Sequence, residues 1–519
     1  MAERFERNTR TFALLTAVSR VTGLGRDAAL SRVFGAGLVM DAFFFAFMIP
    51  NLFRRLFGEG AVSAAFLRVY AQLDKTDPAN ASRLATLTVG LLIAGLGAVT
   101  IVGELVLALL PASTDEASLV VRLAMIMLPY MPMICVVAVL GAMLQVHDRF
   151  GPGAAVPIVL NLCLIGASVG LAPRFGALDR AGHVTAVAVS VIVAGVVQLA
   201  WMAWVLRGAG RFALDTKPAR EPMRAVLGQA GPMMLGLGVL QLNVFFDGLI
   251  ASYPTIIGPT IFGVDYPLRE GSLAVVSFAQ RLYQFPLGVF GIAVATAIFP
   301  ALARLADDRQ AFADMLRRGL RLVVFIGLPA SAGLALVGPL LVRVILEGGQ
   351  FGAADADRVA FVLYGYAAGV WAYSIIHVFT RAFYAMGDAK TPVKVAVAMV
   401  AVNLVLNCTL IWTPLRAAGL AWSTALCAIV QAVVLLVLVR RHVPDILAAT
   451  VVASTARTAA LTVAMAASVA GTLAVMPHAV TWSQTLVNLL VAVGVGMLVV
   501  VGGARLLSMP ELRWVVGRS

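Results

Sequence analysis

Apolar residues run along this chain in long stretches broken by short polar intervals. Read at helical period, they predict helices over 11–36, 40–71, 85–110, 118–146, 153–172, 183–206, 225–252, 272–303, 317–346, 358–386, 392–412, 416–439, 449–474 and 484–507. Most of these reach the length of about 20 residues that spans the roughly 30 Å hydrocarbon layer of a bilayer. Inside that layer no water satisfies backbone N–H and C=O groups, so a chain crosses as helices or as a closed barrel. The pattern therefore predicts an all-α polytopic membrane protein of about fourteen spans.

Composition agrees with the pattern. Of 519 residues, 61% are hydrophobic and 13% charged, with a mean hydropathy of +0.94. The formal net charge of +13 does not point to nucleic acid, because the basic residues gather in alternate short loops. Arg4, Arg7 and Arg10, Arg68, Lys75 and Arg83, the segment Arg207 to Arg224, Arg304 to Arg318, Lys390 and Lys394, Arg440 and Arg441, and Arg513 and Arg518 mark one side. The intervening loops are acidic or sparsely charged, as at Asp115 and Asp355. Short loops rich in Lys and Arg stay cytoplasmic, so both termini are expected inside. The N-terminal MAERFERNTR carries Glu3 and Glu6 among its arginines and does not read as a cleaved signal, so the first span is expected to remain. Cys135, Cys163, Cys408 and Cys427 have no disulfide or zinc spacing, and the five histidines have no metal spacing.

The order of landmarks repeats. Pro50 precedes Arg68 by eighteen residues, as Pro286 precedes Arg304; Asp148 to Pro152 recurs as Asp388 to Pro392; Val197-Gln198 running to Arg207 recurs as Val430-Gln431 running to Arg440. The shift covers six spans, an even number, so the halves are expected to be parallel repeats. The predicted organisation is a first lobe at 1–206, a cytoplasmic basic linker at 207–224, a second lobe at 225–440, and two further spans within 441–519.

Chemistry at membrane depth must come from polar residues, each of which costs about 2.5–3.5 kcal/mol or more to insert if charged. The first two spans hold Arg20, Arg26, Asp27, Arg32, Asp41, Arg54, Arg55 and Glu59, and the eighth adds Arg281. Arginines cannot face lipid tails, so they are expected to line a hydrated, cationic cavity between the lobes, where a forked guanidinium suits phosphate oxygens. Gly23, Gly25 and Pro50 are expected to bend the two helices inward. Arg20 with Asp27, at i,i+7, and Arg55 with Glu59, at i,i+4, offer structural ion pairs as the alternative, whereas Arg20, Arg26, Arg54 and Arg281 lack enough nearby acids for all to be neutralised.

The stretches Ser19 to Asp27, Phe34 to Gly37, Asp41 to Phe44, Pro50 to Ala61 and Gln280 to Gly291 closely resemble the MurJ (MviN) lipid II flippases. The resemblance covers nearly the whole chain. It implies the multidrug/oligosaccharidyl-lipid/polysaccharide exporter fold, alternating access, and export of an undecaprenyl-pyrophosphate-linked disaccharide-pentapeptide across the bacterial inner membrane. By the same resemblance Arg20, Arg26, Arg54 and Arg281 match essential cavity arginines, with Ser19 beside them; Asp41 and Glu59 match motif acids; and the last two spans match a groove for the lipid tail. Some members carry an acid directly before the arginine of the eighth span, where this chain has Gln280.

No GxxxxGK[ST] phosphate cradle occurs, so no cofactor is expected and the energy is assigned to membrane potential or a coupled ion. A drug exporter for hydrophobic cations is disfavoured by the arginines, and a membrane-embedded glycosyltransferase by the short exterior loops. A sodium site is a further expectation. Asp247 lies deep in the seventh span, Asn403 and Asn407 share a face of the eleventh, and the twelfth adds Ser423, Thr424 and the carbonyl of Gly419. An interhelical hydrogen-bond cluster is the alternative for these residues. Some family members carry an acid where this chain has Asn407.

Overall fold

The computed structural model describes residues 2–58, 60–109, 115–175, 179–207, 212–213, 215–288, 292–477 and 479–515. Its helices are α1 (Ala2–Phe34), α2 (Leu38–Phe53), α3 (Ala61–Thr76), α4 (Pro78–Leu109), α5 (Asp115–Met127), α6 (Tyr130–Val146), α7 (Gly151–Gly170), α8 (Ala172–Phe175), α9 (Arg180–Leu206), α10 (Arg220–Ile256), α11 (Ser272–Pro286), α12 (Ile292–Arg304), α13 (Arg309–Leu346), α14 (Ala353–Ala385), α15 (Lys390–Leu410), α16 (Ala418–Arg440), α17 (Ala449–Val475), α18 (Trp482–Leu506) and α19 (Pro510–Val515). Among the described residues the fold is all-α but for an isolated bridge between Gly348 and Phe351 and a small hairpin at Thr260–Ile261 and Val264–Asp265. Phe262 and Gly263 both take positive φ there, which is what a tight two-residue turn requires.

Each predicted span is realised, with the second, fourth and eighth divided. Ten helices among the described residues are long and apolar enough to cross a membrane. Of the other spans, the first carries Arg20, Arg26, Asp27 and Arg32 on α1, and the second and eighth are split into shorter pieces. The breaks follow prolines. Pro50 is followed by a π-helical turn at Arg54–Gly58, and Pro286 ends α11. A proline ring crowds the carbonyl one turn back and removes a hydrogen bond, so the helix loosens near it. Helix α1 runs unbroken through Gly23 and Gly25, because a glycine keeps its backbone donor.

The chain forms two compact units, one of Met1–Ala274 with Gly348–Phe351 and one of Val275–Glu347 with Gly352–Ser519. The packing boundary thus falls after Ala274, whereas the sequence places the lobe boundary in the 207–224 linker. Helix α10, expected to open the second lobe, packs on α2 and α3. In this first unit α7 packs between α1 and α9, and α6 between α4 and α9. The Gly348–Phe351 segment is seated at the end of α1, where the Gln350 N–H donates to the Arg32 carbonyl at 2.8 Å and Arg180 donates to the Gln350 side chain.

The second unit is built on α14, which crosses α13 and α16. Leu316, Leu320, Val378, Phe379, Phe383 and Leu435 form part of its buried core. A Cβ on Gly365 would come within 2.8 Å of Ala421, and one on Gly369 within 3.0 Å of Ala425. Two glycines four residues apart, facing two alanines four apart, let α14 and α16 approach closely, which is how helices associate where lipid offers no hydrophobic drive.

Candidate functional site

The α1–α7 crossing carries the first cluster. Arg26 donates to Asp27 Oδ1 from Nε at 2.9 Å and from one terminal nitrogen at 2.6 Å, and its other terminal nitrogen donates to Asn161 Oδ1 at 3.1 Å. Asn161 on α7 donates in turn to the Ser19 carbonyl at 3.3 Å and to Thr22 Oγ1 at 3.2 Å. Arg26 and Asp27 are both buried. The sequence expects Arg26 without an acid of its own and offers Asp27 to Arg20; instead the acid goes to its immediate neighbour. Asn161 fixes the guanidinium so that the two side chains fold onto each other, although adjacent helix positions point apart.

Arg20 is the contrast. It is exposed, with no hydrogen-bond or ion-pair partner among the described residues. It lies six residues before Arg26, about 9 Å along the helix axis. One turn of α1 therefore holds a neutralised guanidinium and an earlier turn an open one.

The second span builds its cations around the π-helical turn. Arg54 donates to Asn51 Oδ1 at 3.1 and 2.8 Å, and Arg55 donates to Gln241 Oε1 on α10 at 3.1 Å. Gly58 closes the turn against α6, where a Cβ would meet Ala138 at 3.3 Å. Glu59 lies outside the described residues.

Asp41, expected among the substrate residues, is fully buried and serves the scaffold. It accepts from the backbone N–H of Gly271 at 2.6 Å and Ala274 at 2.7 Å, and from the Thr255 hydroxyl at 3.1 Å. A carboxylate at the first turn of a helix satisfies orphan N–H groups and meets the positive end of the dipole. Gly271 makes this possible: its φ is +80°, and a Cβ would collide with the Ala36 carbonyl.

In the second unit Arg281 is exposed on α11. Its neighbour Gln280 donates to the Tyr366 hydroxyl at 3.0 Å, and Tyr366 stacks on Tyr283 at 4.6 Å. Gln280, at the acid position of some family members, is thus held by a neutral partner.

Of the expected sodium ligands, Asn403, Asn407 and Ser423 meet. Asn407 donates to Asn403 Oδ1 at 2.9 Å, Asn403 donates to Ser423 Oγ at 3.3 Å, and Ser423 donates to Asn407 Oδ1. This ring has the form of the hydrogen-bond alternative, each amide oxygen already accepting a proton from a neighbour. Thr424 turns to the Leu420 carbonyl at 2.8 Å, and Gly419 sits against the backbone of Leu410, where a Cβ would come within 2.8 Å. Asp247 is buried in the other unit, beside the point where Gly248 of α10 meets Met48 of α2. Among the described residues no three His, Cys, Asp or Glu side chains are grouped to hold a metal.

Asn161, Asn51, Gln241 and Tyr366 are the site residues that the sequence reading passes over. The available signal is an amide inside an apolar span, as at Asn161.

The profile of the family described as "Lipid II flippase MurJ" matches residues 30–492. A protein of Rhizobium tropici named probable lipid II flippase MurJ is 34% identical over 440 residues, covering 82% of this chain and 79% of the relative. A protein of the same name from Vibrio cholerae serotype O1 is 31% identical over 439 residues, covering 80% and 79%. Among solved structures, "Lipid II flippase MurJ, inward closed conformation" is similar at 20% identity and a TM-score of 0.77, covering 96% of this chain and 99% of that one. An inward-facing MATE family transporter of the MOP superfamily is similar at 14% identity and a TM-score of 0.65, covering 82% and 95%, a likeness of fold. The match along most of its length places this chain in the lipid II flippase MurJ family.

Proposed function

We propose that this chain is a transporter that moves lipid II from the cytoplasmic to the periplasmic face of the bacterial inner membrane by alternating access. Its family and the names of its relatives support lipid II as the substrate. The observation that carries the reading in this molecule is Arg20, an exposed guanidinium within α1 without a protein partner among the described residues. A charge in that position is stable when hydrated or when it meets an anion, and the diphosphate of lipid II is such an anion. Arg54 and Arg55 stand on the π-helical turn after α2, where bonds to amide oxygens set their direction. Arg26 has a different role: paired with Asp27 and tied to Asn161, it stiffens the stretch of α1 that presents Arg20. Arg281 supplies a further exposed guanidinium from α11. Driving force comes from membrane potential or an ion gradient.

The test is reconstitution. The chain in vesicles with labelled lipid II is expected to change the label's accessibility between faces, and vesicles without it are not; equal accessibility in both would overturn the proposal. Both termini and the 207–224 segment lie in the cytoplasm in this reading. A cysteine replacing Asp215 is then expected to react with an impermeant reagent from the cytoplasmic side, and reaction from outside would reverse the topology.

A further inference from the structure

The short helix α19 is fastened by more polar contacts than its six residues require. Glu511 is fully buried, and its Oε1 accepts from Arg321 Nε on α13 at 2.7 Å and from the Ser454 hydroxyl on α17 at 2.5 Å. Its Oε2 is buried without a hydrogen-bond partner among the described residues, so these bonds are what orient the carboxylate. Trp514 lies under two guanidinium groups, Arg318 at 4.6 Å and Arg321 at 5.0 Å from the ring centre. Beneath them Met509 joins Phe325 of α13, Leu461 of α17 and Ala504 of α18 in one buried cluster. Three separate helices are therefore joined at one end by a single carboxylate and the apolar residues around it.

Helices α17 and α18 pack on each other and on α13. Their contact is apolar: Gly503 meets Leu461 and Gly496 meets Val469, and Met465, Val469 and Ala492 are buried against Leu336, Val337 and Val495. Apolar packing of this kind is non-directional, so a charged contact at its end adds a constraint that the packing lacks. A buried ionic group specifies register because any slip leaves a charge without its partner. The outward faces of both helices are apolar, with Val463, Val475, Leu490 and Leu498 exposed, a surface on which a polyprenyl chain can lie.

We infer that α19 is a clamp holding α17 and α18 at fixed register on α13, with Glu511 and Arg321 as positioning residues for the long lipid tail during transport. The inference rests on the proposed function. The clamp acts on the tail, while the head is handled by the arginines elsewhere. Loosening it therefore impairs a long-tailed substrate and spares a short-tailed one, a split that a general loss of fold does not produce.

The experiment compares two labelled substrates, lipid II with its undecaprenyl tail and the same head on a farnesyl tail, in vesicles containing the full chain. In Glu511→Gln, undecaprenyl transport is expected to fall about tenfold, the factor corresponding to one lost charge-assisted contact, with farnesyl transport within about twofold of native. Undiminished transport of both, or an equal loss of both, would overturn the clamp. If Glu511→Gln is not recovered folded, Trp514→Ala keeps the ion pair and removes its aromatic cover. A selective loss of about threefold is expected there, and an equal effect on the two tails again overturns the inference. A native chain that moves neither substrate refutes the transport reading itself, an outcome distinct from native transport without tail selectivity in the variants.

Discussion

Two buried asparagine sites, one in each half of the chain, solve different problems. On α7, Asn161 stands nine residues after Pro152; on α15, Asn403 stands eleven after Pro392. Asn161 is the neutral arm of a charged cluster, accepting from Arg26, whose other bonds go to Asp27. Asn403 belongs to a ring of amides and a hydroxyl that closes on Asn407 and Ser423. The first arrangement fixes a charge in a spanning helix; the second joins two helices without one. An amide at depth is therefore not diagnostic by itself, and its partner decides what it does.

That contrast breaks most readily at Arg26. Arg26→Ala removes a charged partner of Asp27 and takes the donor from the buried Asn161 Oδ1, so destabilisation of about 1–3 kcal/mol is expected together with loss of transport. Thermal unfolding beside a flipping assay checks both, and an Arg26→Ala variant of native stability and native transport would overturn the expectation. Arg20→Ala separates function from fold more sharply. Transport is expected to fall by more than about tenfold with stability within about 0.5 kcal/mol of native, and lysine restores part of it because it supplies charge without the fork.

In the neutral ring the effects are smaller. Asn403→Ala is expected to cost about 0.6 kcal/mol per lost bond and to leave transport within about twofold. Because the ring satisfies itself, replacing sodium by a large organic cation at fixed pH and potential is expected to leave the native rate unchanged. A sodium requirement that vanishes in Asp247→Asn would restore a cation site to the seventh span. The smallest effect is at Asp388, outside the membrane, where the Thr391 side chain and the backbone N–H groups of Thr391 and Lys390 hold the carboxyl below its usual range. A depressed folded pKa stabilises above the unfolded value and is lost as pH falls through the folded one. The stability difference between native and Asp388→Asn is thus expected to be flat from neutral pH to about 5 and to shrink only below the ordinary carboxylate range.

Much of this architecture is legible in the sequence because hydropathy and proline act locally. Pro50 and Pro286 mark real breaks, and the deep arginines stand out against apolar neighbours. Choices that depend on a partner helix are not legible. Asp27 has Arg20 and Arg26 within reach in sequence, and Asn161, on a helix 135 residues away from Arg26, selects between them. That Gly23 and Gly25 face Asn161 and Ile165 of α7 is equally absent from the local sequence. Asp41 reads as a substrate acid because nothing nearby in sequence announces Gly271 and Ala274 as its donors. The surface of α10 that holds it to α2 and α3 is likewise set by packing, so the compact units divide fifty residues beyond the basic linker.

The Arg321–Glu511 pair also has a consequence in time. Its members are separated by 190 residues, so a ribosome working at about 5–20 residues per second makes the arginine roughly 10–40 s before the acid. During that interval α13 enters the bilayer with an unmatched cation, and later spans insert around it. Nascent chains arrested before residue 511 are expected to leave Arg321 open to a guanidine-directed reagent that no longer reaches it in the finished chain. Assembly of this region is thus ordered from its far end, with the last helix described completing a contact begun before α14 is synthesised.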